Sequence, residues 1–483
     1  MYLGLDLGTS GLRALLTNDQ GQSVASADHA YSTAHPHAGW SEQDPQLWIA
    51  ACKKVLNDLR DTAPEALAQL KGIGISGHMH GAVLLDKALK PLRPCILWND
   101  TRSHAEAAQL DAHENVRTLS GNIVFPGFTA PKLVWVKSNE PDIFKKTAHI
   151  LLPKDFLRLY LTGELKAEIS DAAGTSWLDQ STRRWSNALL KVGQISENQL
   201  PELVEGSAPA GSLRDDLCAD WGIGQEVMVV GGGADNAAAA CGAGVLQEGQ
   251  GFVSLGTSGV ILVGRNAFAP QPETAVHTFC HAVPDRWYQM GVTLAATDSL
   301  NWLSKIAGMP PSKLTRELGA QLKPPSTIQF LPYLSGERTP INDSHIRGSF
   351  VGLDIAHDRA DMTHAVLQGV TFALRQCLEA LRATGATIDD LLAIGGGAQS
   401  GYWLQMLATA FNLPINVPEK GEFGAALGAA RLAICGVTGR EPEMVMAPPD
   451  IAETVLPDPQ LSAAYNSAYE KFVKIYPAVR AVQ

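Results

Sequence analysis

The pentapeptide LGTSG occurs twice, at residues 7–11 and again at 255–259, about half the chain apart. Leu3, Leu5 and Leu7 alternate with Gly4 and Asp6 ahead of the first copy, and LRALLTN follows it. The second copy is framed in the same way, by GFVS before it and VILVG after it. One glycine-hydroxyl turn, repeated with both of its strands, implies two halves built on one plan. Each half would then present strand, glycine turn, strand at one end of a sheet.

The remaining pattern supports this division. A helical stretch at 44–70 leads to a strand at Ile73–Ser76, then HMHG and a short strand, AVLLD. Residues 100–137 read as helix and loop, and 141–163 as more helix. QEVMVVGGGADN reads as a buried strand entering a glycine turn, followed by a helix through NAAAACGAGVL. After the second turn, helical patterns fill 296–321 and 359–384, LLAIGGGAQS repeats the strand-into-glycine theme, and FGAALGAARLAI and 460–476 are helical. Strands alternating with helices predict an α/β fold. At 483 residues the chain is long enough for at least two domains. The expected boundary falls at Gln247 to Gln250, giving domains 1–246 and 247–483.

Successive backbone N–H groups in a glycine turn form a concave anion site, to which hydroxyls add donors. Either turn alone reads as a tight hairpin. Two identical turns in corresponding strands instead predict paired loops clasping one polyphosphate across a cleft. Asp6 strengthens the first loop, because an acid inside an apolar strand is costly without a partner. A hydrated Mg²⁺ beside phosphates suits it. Asp235 follows GGGA and opens an alanine-rich helix, so capping and catalysis are both open to it. His78-Met79-His80 reads as a polar patch for a hydroxylated ligand. A metal site built with His277-x-x-Cys280-His281 is disfavoured, since catalytic zinc takes three ligands at recognisable spacing. GGGAQS at 395–400 and FGAALGAA at 423–430 let backbone meet a flat base, and together outline an adenine pocket, with helix packing as the plainer reading of the second. Gly72-Ile-Gly74-Ile-Ser-Gly77 matches the dinucleotide pattern, but its glycines lie inside a strand and no helix follows. The chain has no G-x-x-x-x-G-K-[ST] loop.

Composition excludes other classes. The 38 basic and 49 acidic residues give a net charge of −11, which argues against nucleic acid or an anionic membrane as partner. The seven cysteines are scattered, with no C-x-x-C pair, as expected of reduced thiols in a cytoplasmic protein. An acid at Asp6 and no basic start make a signal peptide unexpected. The most apolar long run, 227–245, is interrupted by Asp235 and Asn236, so no transmembrane helix is expected.

The chain resembles the FGGY family of carbohydrate kinases, and within it the xylulokinase branch, from Leu3 to about Ile434. The resemblance rests on collinear segments: GLDLGTSGLR, WSEQDPQLW, ISGHMHGAVLLD, LWNDTR, GFTAPKLVWV, LLPKDFLRL, SDAAGTSWLD, GGGADNAAAA, SLGTSG, FLPYLSGERTP, IGGGAQS and AALGAARLA. It implies two actin-like, ribonuclease-H-like domains around a deep cleft, with sugar mostly on the first and ATP mostly on the second. The implied reaction is ATP plus D-xylulose giving ADP plus D-xylulose 5-phosphate. Asp235 matches the family's general base, and Asp6 the acid near Mg²⁺. Met79, His80, Asp235 and Asn236 match sugar-contacting positions, with Trp98, Asn99 and Asp100 shaping that end. Gly8, Thr9, Ser10, Arg13, Gly256, Thr257, Ser258, Gly396 and Gly397 match nucleotide positions. A homodimer is implied by the resemblance alone. Arg13 stands where many relatives have lysine, His78 where glutamine is commoner, Ala234 where glycine is usual, and Ser138 departs from the N-terminal signature. The nearest rivals are D-ribulose, L-ribulose or gluconate kinases. An actin- or Hsp70-like ATP-driven scaffold is the rival of another class; HMHG, LWND and a carboxylate opening a helix favour a kinase.

Overall fold

The computed structural model describes residues 1–419 and 424–483. Its first half contains β1 (Tyr2–Leu7), β2 (Gly11–Thr17), β3 (Ser23–Ala30), α1 (Pro45–Thr62), β4 (Gly72–Gly77), α2 (Pro153–Thr162), β5 (Pro209–Ser212), β6 (Met228–Val230) and α3 (Asp235–Ala243). Its second half contains β7 (Gly251–Leu255), β8 (Gly259–Arg265), β9 (His277–Cys280), β10 (Trp287–Thr293), α4 (Thr297–Ala307), α5 (Pro311–Glu317) and α6 (Arg359–Ala383). It continues with β11 (Leu391–Ile394), α7 (Gly401–Phe411), β12 (Ile415–Pro418), α8 (Ala425–Thr438), β13 (Ile451–Val455) and α9 (Ser462–Arg480).

The two sheets repeat one topology. In the first, the order β5-β6-β4-β1-β2-β3 sets antiparallel β1, β2 and β3 beside parallel β4 and β6. In the second, β9-β10-β8-β7-β11-β12-β13 sets antiparallel β7, β8 and β10 beside parallel β11 and β12. The LGTSG turns therefore occupy equivalent places, at the ends of the central strands β1 and β7. The repeated pentapeptide marks a repeated α/β fold, as its flanks predict.

Local chemistry explains the main elements. Asp44 caps α1 by accepting from Gln46 N, Pro45 sits at its first turn, and Trp48, Cys52, Val55 and Leu59 bury one face. The expected helical stretch 141–163 differs in containing a short strand, His149–Leu151, which pairs with Val83–Leu85. Three residues are too few for periodicity to reveal. All seven cysteines are free. No described helix is long and apolar enough to cross a membrane.

The small-residue helix α8 lies against the first sheet, although it belongs to the second half of the chain. A Cβ on Gly4 would lie 1.8 Å from Ala426 O, and one on Gly74 would lie 1.9 Å from Ala429 O. The glycines of β1 and β4 thus admit the backbone of α8, which explains the dinucleotide-like spacing in β4. Gly428 in turn admits α3, with Ala238 O 1.8 Å from its would-be Cβ. Helix packing, not an adenine pocket, accounts for the alanine run; Phe423 of that segment lies outside the described residues. Ala237 and Cys241 of α3, Phe252 of β7 and Leu432 of α8 share one apolar cluster, so the two halves are joined by core. Gly74→Ala is expected to cost about 3 kcal/mol, the upper end of overpacking penalties, because the clash is with backbone. Urea midpoints measure it. Gly224→Ala, where nothing lies within 4 Å, is the near-neutral control.

Candidate active site

At the first turn, Gly8 N donates to Gly11 O at 2.9 Å and closes the hairpin. Carbonyl groups of this turn are taken by the protein. Gly8 O accepts from Tyr31 Oη at 2.6 Å, Thr9 O from Gln43 Nε2 at 2.6 Å, and Ser10 O from Tyr31 N at 3.0 Å. Trp48 Nε1 donates to Gln43 Oε1 at 3.0 Å, so the WSEQDPQLW segment braces the loop from behind. Sequence reasoning had no role for Gln43 or Tyr31. Gln43 was only a polar residue inside WSEQDPQLW, and Tyr31 lies in none of the recognised segments.

The second turn is clamped likewise. Gly256 O accepts from Thr297 N at 2.9 Å and Thr297 Oγ1 at 2.8 Å, and Thr257 O from Ala296 N at 2.8 Å. The start of α4 thereby fixes the loop containing Ser258. Gly397 packs under it, with a would-be Cβ 2.7 Å from Leu255 Cβ and 3.2 Å from Thr297 Cγ2. Gly396 faces open space. Both glycines line a cavity of about 580 Å³ with Thr297, Asn301, Arg316, Gln399 and Tyr402. The α4 and α5 residues of this wall carry no motif, so sequence reasoning missed them.

Strand register brings the two acids together. Ser76 of β4 stands opposite Asp6 on one side and opposite Gly233 on the other. Asp6 lies within the sheet end and Asp235 two residues beyond Gly233, at the same edge. Ser76 Oγ donates to Asp6 Oδ1 at 3.0 Å, and Arg13 is Asp6's cross-strand neighbour. Burial pushes the Asp6 carboxyl above its ordinary range, against the pull of Ser76 and Arg13. Asp235 is raised to about 7, first by burial and further by the charge on Asp6.

The cap reading of Asp235 differs in detail. Ala234 is the cap residue, and Asp235 is the first residue of α3. Its Oδ1 accepts from Asn236 N at 2.7 Å and Asn236 Nδ2 at 2.9 Å, so neighbouring Asn236 orients the carboxylate.

The HMH triplet does not alternate as a strand would, because β4 ends at Gly77 and His80 adopts φ +70°. His78 turns inward, 2% exposed, its ring 5.6 Å edge-on from Trp48. His80 stacks on Phe128 at 4.4 Å, and its Nδ1 meets Gly174 O at 2.7 Å. Burial lowers both imidazoles to about 3, so they are neutral. Met79 Sδ accepts from Tyr288 Oη of the second half at 3.8 Å. Nε2 of His281 meets Val245 O at 3.0 Å, a structural engagement rather than a metal-ligand one.

Trp98 is 45% exposed and donates from Nε1 to Thr9 Oγ1 at 3.0 Å, beside the first turn. Asn99 is exposed in a separate depression with His35, His37 and Trp40. Asp100 is buried, with Oδ2 accepting from Ser41 N at 2.6 Å and Arg102 Nη2 at 2.7 Å. Its carboxylate is committed to holding the WSEQ segment. The second half adds Arg338, whose Nη1 lies 3.5 Å from His277 Nε2 and whose Cζ lies 4.6 Å from the Phe125 ring centre. Sequence reasoning missed it inside the GERTP segment.

Models of the FGGY family of carbohydrate kinases match twice, the N-terminal domain over residues 1–242 and the C-terminal domain over 251–437. A xylulose kinase of Escherichia coli K12 is 43% identical over 99% of this chain and 98% of its own length. One from Bacillus subtilis is 38% identical over 98% and 96%. A crystal structure described as that of a xyloylose kinase from Brucella ovis is 54% identical, covers all of both chains and superposes with a TM-score of 0.98. The two-sheet plan is that of the actin-like, ribonuclease-H-like carbohydrate kinases. Sequence, fold and paired loops agree, and the chain belongs to the FGGY family of carbohydrate kinases.

Proposed function

We propose that this chain transfers the γ-phosphoryl group of ATP to the 5-hydroxyl of D-xylulose, as the similarity to xylulose kinases supports. ATP as co-substrate follows from membership of a kinase family. The observation that carries the site assignment is the register of β4, which sets Asp235, at the start of α3, on the same sheet edge as Asp6 and the first glycine turn. Asp235 orients the hydroxyl in line and accepts its proton; Asn236, Met79 and His80 form the sugar wall, with Trp98 at its edge and Asn99 and Asp100 supporting it. The amides and hydroxyls of Gly8, Thr9 and Ser10, with Arg13, hold one side of the triphosphate. Gly256, Thr257 and Ser258 hold the other, and Gly396 and Gly397 border the adenine.

Mg²⁺ fits the first loop. Asp6 accepts one hydrogen bond among the described residues and repels Asp235, a pair of hard oxygen donors suited to a hydrated cation. When bound, the ion supplies charge neutralisation on the transferring phosphoryl group. The division into 1–246 and 247–483 and a homodimer belong to the same proposal, the latter checked by light scattering. A cytoplasmic location fits the free, mostly buried thiols.

An ADP-release assay across D-xylulose, D-ribulose, L-ribulose, xylitol and gluconate tests the substrate. D-xylulose is expected to give the highest kcat/KM. A faster reaction with D-ribulose or gluconate would move the site to that substrate, and ATP turnover indifferent to all five would remove the kinase reading.

A further inference from the structure

The stretch 151–179, which holds LLPKDFLRL and SDAAGTSWLD, buries five charged side chains that have no place in the site described above. Lys154, Arg158, Glu168 and Asp171 are 0% exposed and Asp155 is 1% exposed. Burying charge on this scale seldom adds net stability, because desolvation offsets the attraction. The bonds show where the cluster leads. Asp155 Oδ1 accepts from Lys154 Nζ at 2.7 Å and from Arg158 Nη2 at 2.8 Å. Arg158 Nη1 then donates to Gly231 O at 2.8 Å, at the head of the glycine turn. Lys154 Nζ lies 3.7 Å from Glu168 and 3.4 Å from Asp171.

Glu168 passes this order to the turn's other end. Its carboxylate accepts from Ser170 N at 2.7 Å, Asp171 N at 3.1 Å and Ser170 Oγ at 2.8 Å. Because the Ser170 hydroxyl proton is directed at Glu168, its lone pairs remain for another donor. That donor is the amide of Ala234, at 3.0 Å, the residue immediately before Asp235. Backbone bonds from Gly231 N to Ala208 O and from Gly232 N to Gly206 O hold the first part of the turn. The side-chain anchor at its catalytic end is Ser170. Gly233 and Ala234 also pair with β4, but the three consecutive glycines, one at φ +78°, have no side chains with which to anchor the segment.

We propose that Ser170 is a positioning residue for Asp235, and that the buried Lys154–Glu168 pair serves to aim its hydroxyl. The proposal rests on Asp235 being the group that receives the sugar proton. A shift of about 1 Å in such a group can cost on the order of 10²-fold in rate while binding is kept. Ser170→Ala removes the acceptor; Ser170→Cys keeps the volume and a weak acceptor. With the pentulose ranked first in the assay panel, Ser170→Ala is expected to lower kcat by ~10–100-fold. KM for sugar and for ATP should stay within about threefold, and Ser170→Cys should fall between Ser170→Ala and the parent. A purely structural role would lower Tm without that split between kcat and KM. Ser170→Ala, folded by circular dichroism and with kcat within about twofold of the parent, would overturn the proposal. Asp235→Asn run alongside separates the two readings. If it retains turnover, the assignment of Asp235 fails; if it is inactive while the Ser170 variants are not, only the positioning role fails.

Discussion

Asp235→Asn is expected to fold, to bind both substrates, and to lose about 10²–10⁴-fold in kcat, the usual cost of removing a general base. A hydroxyl attacking a phosphoryl group must shed its proton, and in a loose transition state that proton leaves late, so orientation dominates. Asparagine can still accept from Asn236 N, but it cannot take a proton. The carboxylate's position near 7 adds a pH signature. In the free enzyme, kcat/KM should decline as pH falls through about 7, where Asp235 protonates. Stability moves the other way. A carboxyl whose folded value is raised favours the folded state at low pH, and that contribution is lost as pH rises from ~4, the unfolded value, through about 7. The Asn variant, lacking the buried charge, should therefore melt above the parent at pH 8, with the difference vanishing near pH 4. Near-parental turnover in a folded variant would leave Asp235 a helix-start residue and nothing more.

Asp6→Asn should be almost as damaging, by a separate route. The amide keeps the bond from Ser76 but forfeits the charge that the proposed function sets beside the phosphates. A metal ion contributes several kcal/mol to the stabilisation of the transferring group, and a fall of ~10²-fold or more in kcat is expected when its anchor is weakened. The Mg²⁺ concentration giving half-maximal rate should rise, and the thermal stabilisation that Mg-ATP gives the parent should shrink. An unchanged Mg²⁺ dependence at normal turnover would dissociate Asp6 from the cation.

The repeated pentapeptide was enough to foresee the duplicated sheet, because alternation and turn residues are local properties. Asp6 and Asp235 stood out for the same reason, each being an acid where neighbours are apolar or small. The inward turn of His78 was not legible, since the positive φ at His80 breaks the strand period one residue after Met79. The committed carboxylate of Asp100 also escaped notice. Its partners include Ser41, 59 residues earlier, and nothing in LWND announces that pairing. The cavity wall from α4 and α5 is ordinary amphipathic helix in sequence and becomes a wall only by placement. Ser170 reads as one serine among many until Ala234 is set against it.

The seating of α8 on β1 and β4 also bears on how the chain is made. Synthesis proceeds from the N-terminus, so the glycine face of the first sheet is complete long before its cover exists. At ~5–20 residues per second, the interval between release of α3 and release of α8 is on the order of tens of seconds. Throughout that time the nascent first half presents an uncovered sheet face and an unpaired α3. Its native state becomes accessible only after the second glycine turn and its own strands have left the ribosome, which ties the birth of one half to the completion of the other.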